Sequence, residues 1–265
     1  MGFVHTGGAR VYCERHGQGP AIVFCHGAGS NAATWWQQVP HFTRRFTCLT
    51  LDLRCFGRSQ AEPHTLTWEA LCADLLAVLD AEGVGRAALV CQSLGGGLGL
   101  RFAMEHPTRT WALVSSGSSM GIDLPEAQAS VARYLASAEG SQVEQRALGP
   151  AFRAASAPLA FLYQQVNGFN PLVFQGAGAE LRARLAVLNS EAMAVPRERL
   201  KRIACPVLLL GGEFDPLMPP DLVRAVATHF ARAQSAVMAN CGHSPYFERP
   251  AEFNDRVERF LDAAG

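Results

Sequence analysis

The sequence predicts an α/β fold with a mostly parallel sheet, and three observations lead there. Short β-rich runs alternate with helical stretches, the pattern of strands joined by helices that cover both faces of a sheet. The chain has 265 residues, 49% hydrophobic and 17% charged, which supplies a sizeable core and too little charge for a disordered chain. The alternation breaks once, over residues 117–200, where helical patterns continue without a convincing strand.

Strands are predicted over residues 11–15, 22–25, 46–51, 88–91, 111–115, 207–211 and 235–238. A helix over 68–82 carries Leu71, Leu75, Leu76 and Leu79 on one face, with Thr67 as its N-cap and Gly83 closing it. Further helices fit 94–105, 221–230 and 251–261, and Pro107 and Pro196 act as stops. Residues 117–200 read as one helical insertion that divides a core of residues 1–116 and 201–265. Between Leu148 and Gly178 the only charged residue is Arg153, while Phe152, Phe161, Leu162, Tyr163, Phe169, Leu172, Val173 and Phe174 crowd the segment. The insertion is therefore expected to bury a small core of its own and to act as a cap over an apolar pocket. Arg153, Phe161, Phe169 and Phe174 are its candidate substrate-binding residues.

Lys and Arg total 23, as do Asp and Glu, so the formal net charge of +0 gives no reason to expect nucleic acid or an anionic membrane as partner. Lys201 is the sole lysine, and the arginines are scattered rather than gathered in a basic run. No stretch reaches the roughly 18 uninterrupted apolar residues of a spanning helix. The opening MGFVHTGGAR lacks the charged and apolar regions of a secretory signal. Cys13, Cys25, Cys48, Cys55, Cys72, Cys91, Cys205 and Cys241 sit singly and read as buried small hydrophobes. Together these features predict a soluble cytoplasmic protein.

The residues that carry chemistry fall just after strands. Cys91-Gln92-Ser93-Leu94-Gly95-Gly96-Gly97 joins a strand to a helix through a turn tight enough to need small neighbours. Such a turn lifts Ser93 above the sheet edge beside a helix N-terminus, although a helix entry with a capping serine would look the same locally. His26-Gly27-Ala28-Gly29 follows the strand at 22–25 and brings a flexible backbone to the same edge, where the N–H groups of Ala28 and Leu94 could face a developing oxyanion. His26 itself reads as a structural ring. Asp215 lies in GGEFDP at 211–216, and His243 in Asn240-Cys241-Gly242-His243-Ser244-Pro245. A serine hydroxyl needs a base, and the base needs a carboxylate to fix its tautomer; Ser93, Asp215 and His243 supply these in chain order. Glu213 and Asp123 compete with Asp215 for the acid's place.

On these residues the sequence resembles the α/β-hydrolase superfamily, in particular its small capped serine hydrolases. The matching pieces are HGAG at 26–29, LDLRCFGRS at 51–59, CQSLGG at 91–96, GGEFDP at 211–216 and CGHSPYFERP at 241–250, which span nearly the whole chain outside the insertion. The resemblance implies an eight-stranded, mostly parallel sheet flanked by helices, with a helical cap inserted after the sixth strand. It also implies Ser93 as nucleophile, His243 as base, Asp215 as acid, Ala28 and Leu94 as oxyanion donors, a small-molecule substrate, and neither cofactor nor metal. Two positions depart from the pattern. Cys91 stands where the elbow usually has glycine and is expected to tilt it slightly; Cys55 replaces the glycine of DLRGFGRS and is expected to touch a surface turn.

Serine at the elbow argues against relatives that displace halide or open epoxides with an aspartate. Hydrolysis of an ester or lactone is the expected reaction, and GEFDPLMPP resembles the corresponding segment of enol-lactonases. Carbon–carbon hydrolysis of ring-cleavage products is an alternative on the same triad, as is a cofactor-free perhydrolase or haloperoxidase. A metal site from Cys25, Cys91, Cys241 and His243 is a rival from another class, but no pair of them has ligand spacing. A hydrolase-fold receptor that binds without turnover is a second rival.

Overall fold

A computed structural model describes residues 2–137 and 142–265, apart from the Ser137 and Phe174 side chains. Eight strands form one sheet: β1 (Gly2–Thr6), β2 (Ala9–His16), β3 (Ala21–Cys25), β4 (Thr47–Leu51), β5 (Ala87–Gln92), β6 (Thr110–Ser116), β7 (Val207–Gly212) and β8 (Ala233–Met238). Their order is β1-β2-β4-β3-β5-β6-β7-β8. The β1–β2 and β2–β4 pairs are antiparallel, and every other pair is parallel. Seven of these strands sit where the sequence pattern puts them. β1 is the addition, joined to β2 by Gly7 and Gly8 at φ +43° and +79°, a two-residue hairpin turn of the kind that glycine pairs favour.

Twelve helices accompany the sheet among the described residues. Before the insertion come α1 (Val39–Phe42), α2 (Trp68–Ala81) and α3 (Leu94–Glu105). Between β6 and β7 lie α4 (Pro125–Ser137), α5 (Val143–Ala147), α6 (Pro150–Ala155), α7 (Ala157–Gly168), α8 (Pro171–Phe174) and α9 (Gly178–Leu188). The chain ends with α10 (Pro220–Ala227), α11 (Pro245–Glu248) and α12 (Pro250–Ala264). Thr67 caps α2, its side chain accepting from the Ala70 N–H, and Gly83 follows the last turn at φ +66°.

The central strands are buried on both faces, and their side chains alternate between two apolar clusters. Val23, Cys25, Leu89, Cys91, Val207 and Leu209 pack with α2, α3 and α10; Ile22, Phe24, Val90, Leu208 and Leu210 pack with α1 and α12. The insertion departs from expectation here. Its buried side chains join these same clusters, Leu124, Leu172, Leu181 and Leu188 on one side and Ala147, Leu148, Ala160 and Tyr163 on the other, rather than gathering into a third among the described residues. Helices of this segment do touch one another, α5 and α6 against α7 and α8 against α9, but the side chains they bury are continuous with the sheet's own layers.

All eight cysteines are buried and free. Cys55 corrects one expectation: it is fully buried at φ +70°, with its thiol 3.6 Å from the Ala61 carbonyl oxygen. The backbone keeps the left-handed conformation that glycine would favour there, and the small apolar side chain is tucked inward. Close by, the Arg54 guanidinium grips both oxygens of Asp74 at 2.8 and 2.6 Å, with 1% and 3% of the two side chains exposed. Removing the carboxylate would strand a buried charge. Asp74→Ala is therefore expected to lower unfolding free energy by about 3 kcal/mol or more, read from urea denaturation.

Candidate active site

Six parallel strands, β3 to β8, end at the carboxyl edge of the sheet, the position where open α/β sheets hold ligands. β5 delivers Ser93, whose φ of +51° and ψ of −113° lie outside the ordinary regions for a non-glycine residue. Such a strained turn persists because its surroundings fix it. Gly95 is one reason: a Cβ there would run into the backbone carbonyl oxygen of Cys25. Cys91 is accommodated rather than merely tolerated. It pairs in register with Cys25 on β3, and Gly99 on α3 leaves room for its sulfur, which would sit 2.7 Å from a Cβ at that position.

β3 delivers His26-Gly27-Ala28-Gly29. His26 is fully buried, with Nδ1 2.7 Å from the Gly27 carbonyl and Nε2 accepting from the Leu53 N–H at 2.9 Å. These partners fix the neutral tautomer with its proton on Nδ1, and burial pushes the ring below its usual range despite the Gly27 bond. His26 thus pins its loop. Asp52 props the segment that follows, accepting from the Ala32 N–H at 2.7 Å while Arg58 holds the other oxygen at 2.7 Å. Gly27 packs against Gln92 and Ser93, where a Cβ would lie 3.1 Å from the Ser93 Cβ.

β7 and β8 deliver the other two residues. The His243 Nδ1 donates to Asp215, 3.0 Å from each carboxylate oxygen, with 5% of His243 and 2% of Asp215 exposed. Asp215 also accepts from the N–H groups of Leu217 at 2.8 Å and Met218 at 3.0 Å, so the turn that runs on through Pro216 sets its orientation. With Nδ1 committed, Nε2 carries the free lone pair. The two competing acids are elsewhere: Glu213 accepts from the Asn240 N–H, and Asp123 is exposed.

Ser93, Ala28 and Leu94 border one cavity of about 130 Å³, shared with Trp68, Val131, Tyr134, Leu185, Asn189 and Leu217. Leu94 opens α3, so its N–H has no acceptor within the helix. No charged side chain is among the residues lining this cavity. A larger open hollow, about 500 Å³, lies at the opposite edge near Pro20, Arg45 and Trp111, and holds none of the candidate residues.

The substrate-binding candidates of the insertion are not brought to this cavity. Phe161 and Phe169 are 61% and 51% exposed, Arg153 on α6 does not line the cavity, and the Phe174 side chain lies outside the described residues. The reason is the face each helix presents: α7 turns Ala160 and Tyr163 inward toward Phe247, and α4 and α9 wall the cavity instead.

Several residues that hold the site carried no assignment in the sequence. Tyr134 on α4 lies 5.9 Å from the His243 ring, tilted by 37°, and its burial pushes the phenol up so that it stays protonated. Gln92 donates to the His243 carbonyl at 3.0 Å. Gly117, at φ +57°, faces the imidazole so closely that a Cβ would sit 3.0 Å from Nδ1 and 3.1 Å from Cε1. Glu248, 6% exposed, accepts from the Gly149 N–H at 2.7 Å and the Gly242 N–H at 2.8 Å, tying the insertion to the loop that carries His243. On the other flank of the histidine, the Ser244 N–H donates to the Ala147 carbonyl at 3.1 Å, and its hydroxyl lies 2.7 Å from the Tyr163 hydroxyl. Gly117 had a local signal, a glycine just past a core strand; Glu248 and Tyr134 had none that distinguishes them from surface residues.

Two outcomes follow. Gly117→Ala is expected to displace His243 and lower kcat at least about tenfold while KM changes little, measured on any ester that the wild type turns over. Burial pushes Glu248 up to about 7 against the lowering effect of its backbone donors. An acid raised in the folded state adds stability that is complete below its unfolded value near 4.5 and is lost as pH rises through about 7. Urea unfolding at pH 5 and pH 8 should therefore differ by an amount on the order of 3 kcal/mol that Glu248→Gln removes.

The chain is similar to several known proteins. It is 28% identical over 262 residues to a pimeloyl-[acyl-carrier protein] methyl ester esterase of Aeromonas hydrophila, covering 95% of this chain and 99% of that one. It is 25% identical to 3-oxoadipate enol-lactonase 2 of Acinetobacter baylyi, over 91% and 88% of the two chains. Among solved structures, the enol-lactonase of Burkholderia xenovorans LB400 superposes with a TM-score of 0.81 over 98% of this chain and 99% of that one, a likeness of fold at 22% identity. The family model of the α/β hydrolases matches residues 22–256. With that match running from β3 into α12 and including the segment between β6 and β7, the chain belongs to the α/β hydrolase family.

Proposed function

We propose that this protein hydrolyses carboxylic esters or lactones of small, largely apolar molecules through a Ser93–His243–Asp215 triad. The observation that carries the reading is the cavity bordered by Ser93 on its strained elbow, Ala28, Leu94 and Tyr134, whose ring lies 5.9 Å from that of the Asp215-bound His243. In this mechanism the Ser93 Oγ attacks the substrate carbonyl carbon as its proton passes to His243 Nε2. Asp215 holds the imidazolium in place, and the carbonyl oxygen takes up its charge between the N–H groups of Ala28 and Leu94. The C–O bond to the alcohol then breaks, the departing oxygen takes the proton from His243, and Ser93 is left acylated. A water molecule, deprotonated by His243, releases the acid and restores the serine. No step calls on a cofactor.

The esterase and lactonase names of the similar proteins support ester chemistry over carbon–carbon cleavage. The uncharged lining of the cavity supports neutral acyl groups, because a buried carboxylate without a partner costs several kcal/mol. No helix among the described residues is long and apolar enough to cross a membrane.

A fluorophosphonate should add to Ser93 alone, located by peptide mass spectrometry; an adduct elsewhere would remove the nucleophile from this scheme. Ser93→Ala and Asp215→Asn should each lower kcat by about 10⁴-fold with folding retained, measured by ester turnover beside circular dichroism. In a matched series, neutral esters should exceed mono-acid esters of equal length, and Arg153→Ala should leave that ratio unchanged. A preference for the acid series that vanishes in the variant would make Arg153 a specificity residue.

A further inference from the structure

Two cavities meet between α4 and α9. The first is the 130 Å³ space at Ser93; the second, about 20 Å³, is bordered by Ile122, Gln128, Leu188 and Ser190. Both are lined by Ser119, Gly121, Val131 and Asn189, so these four residues form the partition. Gly121 brings no side chain to it, and Ser119 brings one hydroxymethyl group. The Asn189 amide is committed to the Leu185 carbonyl, 2.7 Å away within the same helix. The isopropyl group of Val131 is what remains to fill the wall. Val131 is three residues before Tyr134 on α4, hence on the same helix face, the one turned toward the nucleophile. Leu135, which also lines the first cavity, is 49% exposed and marks its side open to solvent.

We propose that Val131 is a specificity-determining residue that sets the acyl-chain length accepted at Ser93, the acyl group lying in the slot between α4 and α9 with the alcohol portion toward Leu135. This rests on the ester reading above. The physical argument is one of burial against overlap. Each methylene that enters the dry slot gains about fourfold in kcat/KM, until the chain meets the Val131 side chain. Beyond that point the next methylene must displace packed atoms of a helix that also braces His243, and the gain reverses. Shortening Val131 merges the two cavities and adds room for one or two more methylenes.

The test is a p-nitrophenyl ester series from acetate to octanoate, run on wild type, Val131→Ala, Val131→Leu and Val187→Ala, with each profile normalised to acetate. Val187 is half exposed on α9 and lines neither cavity, so its variant reports on helix truncation alone. The expected result is an optimum that moves to longer chains in Val131→Ala, with about a tenfold gain on the first ester past the wild-type optimum. Val131→Leu should move it to shorter chains, and Val187→Ala should match wild type. Profiles of the same shape in all four proteins, or the same shift in Val187→Ala, would overturn the assignment. Absence of turnover in wild type together with absence of a phosphonate adduct at Ser93 would overturn the hydrolase reading and this inference with it.

Discussion

The close approach of the β5–α3 turn to the end of β3 is the constraint from which the site follows. Gly95 lets the start of α3 rest on the Cys25 carbonyl, and only at that separation do Ser93 and the Ala28 loop border one space. A side chain at residue 95 would push helix and strand apart, and two adjacent strands could no longer present a hydroxyl and backbone donors to a single carbonyl. The strain recorded in the Ser93 backbone is held by packing on both sides: α3 against Cys91 and Leu113, and the His26 ring pinning the opposite loop to Leu53. Cys91 shows how narrowly that packing is tuned. The sulfur that fills the strand position is matched by the missing side chain of Gly99 one helical turn further on.

His243 is placed by a different kind of force. Its loop has little apolar surface of its own and is positioned by hydrogen bonds from elsewhere in the chain. Glu248 and Ala147 hold its two neighbours, Tyr163 reaches Ser244, and Gln92 holds its carbonyl. Half of these partners belong to the segment between β6 and β7. That segment is therefore part of the frame that holds His243 in place. Buried polar contacts suit this task, because each one lost leaves an unsatisfied group and so penalises any displaced arrangement.

The same segment explains the division of labour around the cavity. Having no separate core, it folds down onto both apolar layers of the sheet, and the helices that reach the strand ends are those at its two extremities, α4 and α9. The aromatic-rich α6 and α7 are drawn instead toward Phe247 and α8 packs Leu172 on the opposite layer, leaving Phe161 and Phe169 facing out. Apolar content alone does not determine which side of a short helix meets the core.

What the sequence determined by itself was whatever is written in neighbouring residues. Alternating apolar runs specify the parallel strands, the Cys91–Gly97 stretch specifies the elbow, and the loops after β7 and β8 carry Asp215 and His243 because strand ends in a parallel sheet share one edge. Glycine and proline at these turns encode backbone conformations directly, so they can be read without knowing what surrounds them. β1 is not legible in the sequence because a short edge strand has little apolar pattern, although its Gly7-Gly8 turn is. The tertiary structure decided the rest. It paired Asp215, rather than Glu213 or Asp123, with His243, buried Cys55, set Glu248 between Gly149 and Gly242, and gave the cavity wall to Val131, Tyr134 and Leu185 instead of Phe161 and Phe169. Each of those outcomes depends on contacts between residues far apart in the chain, where the energy lies in a specific pairing of surfaces that no single segment contains.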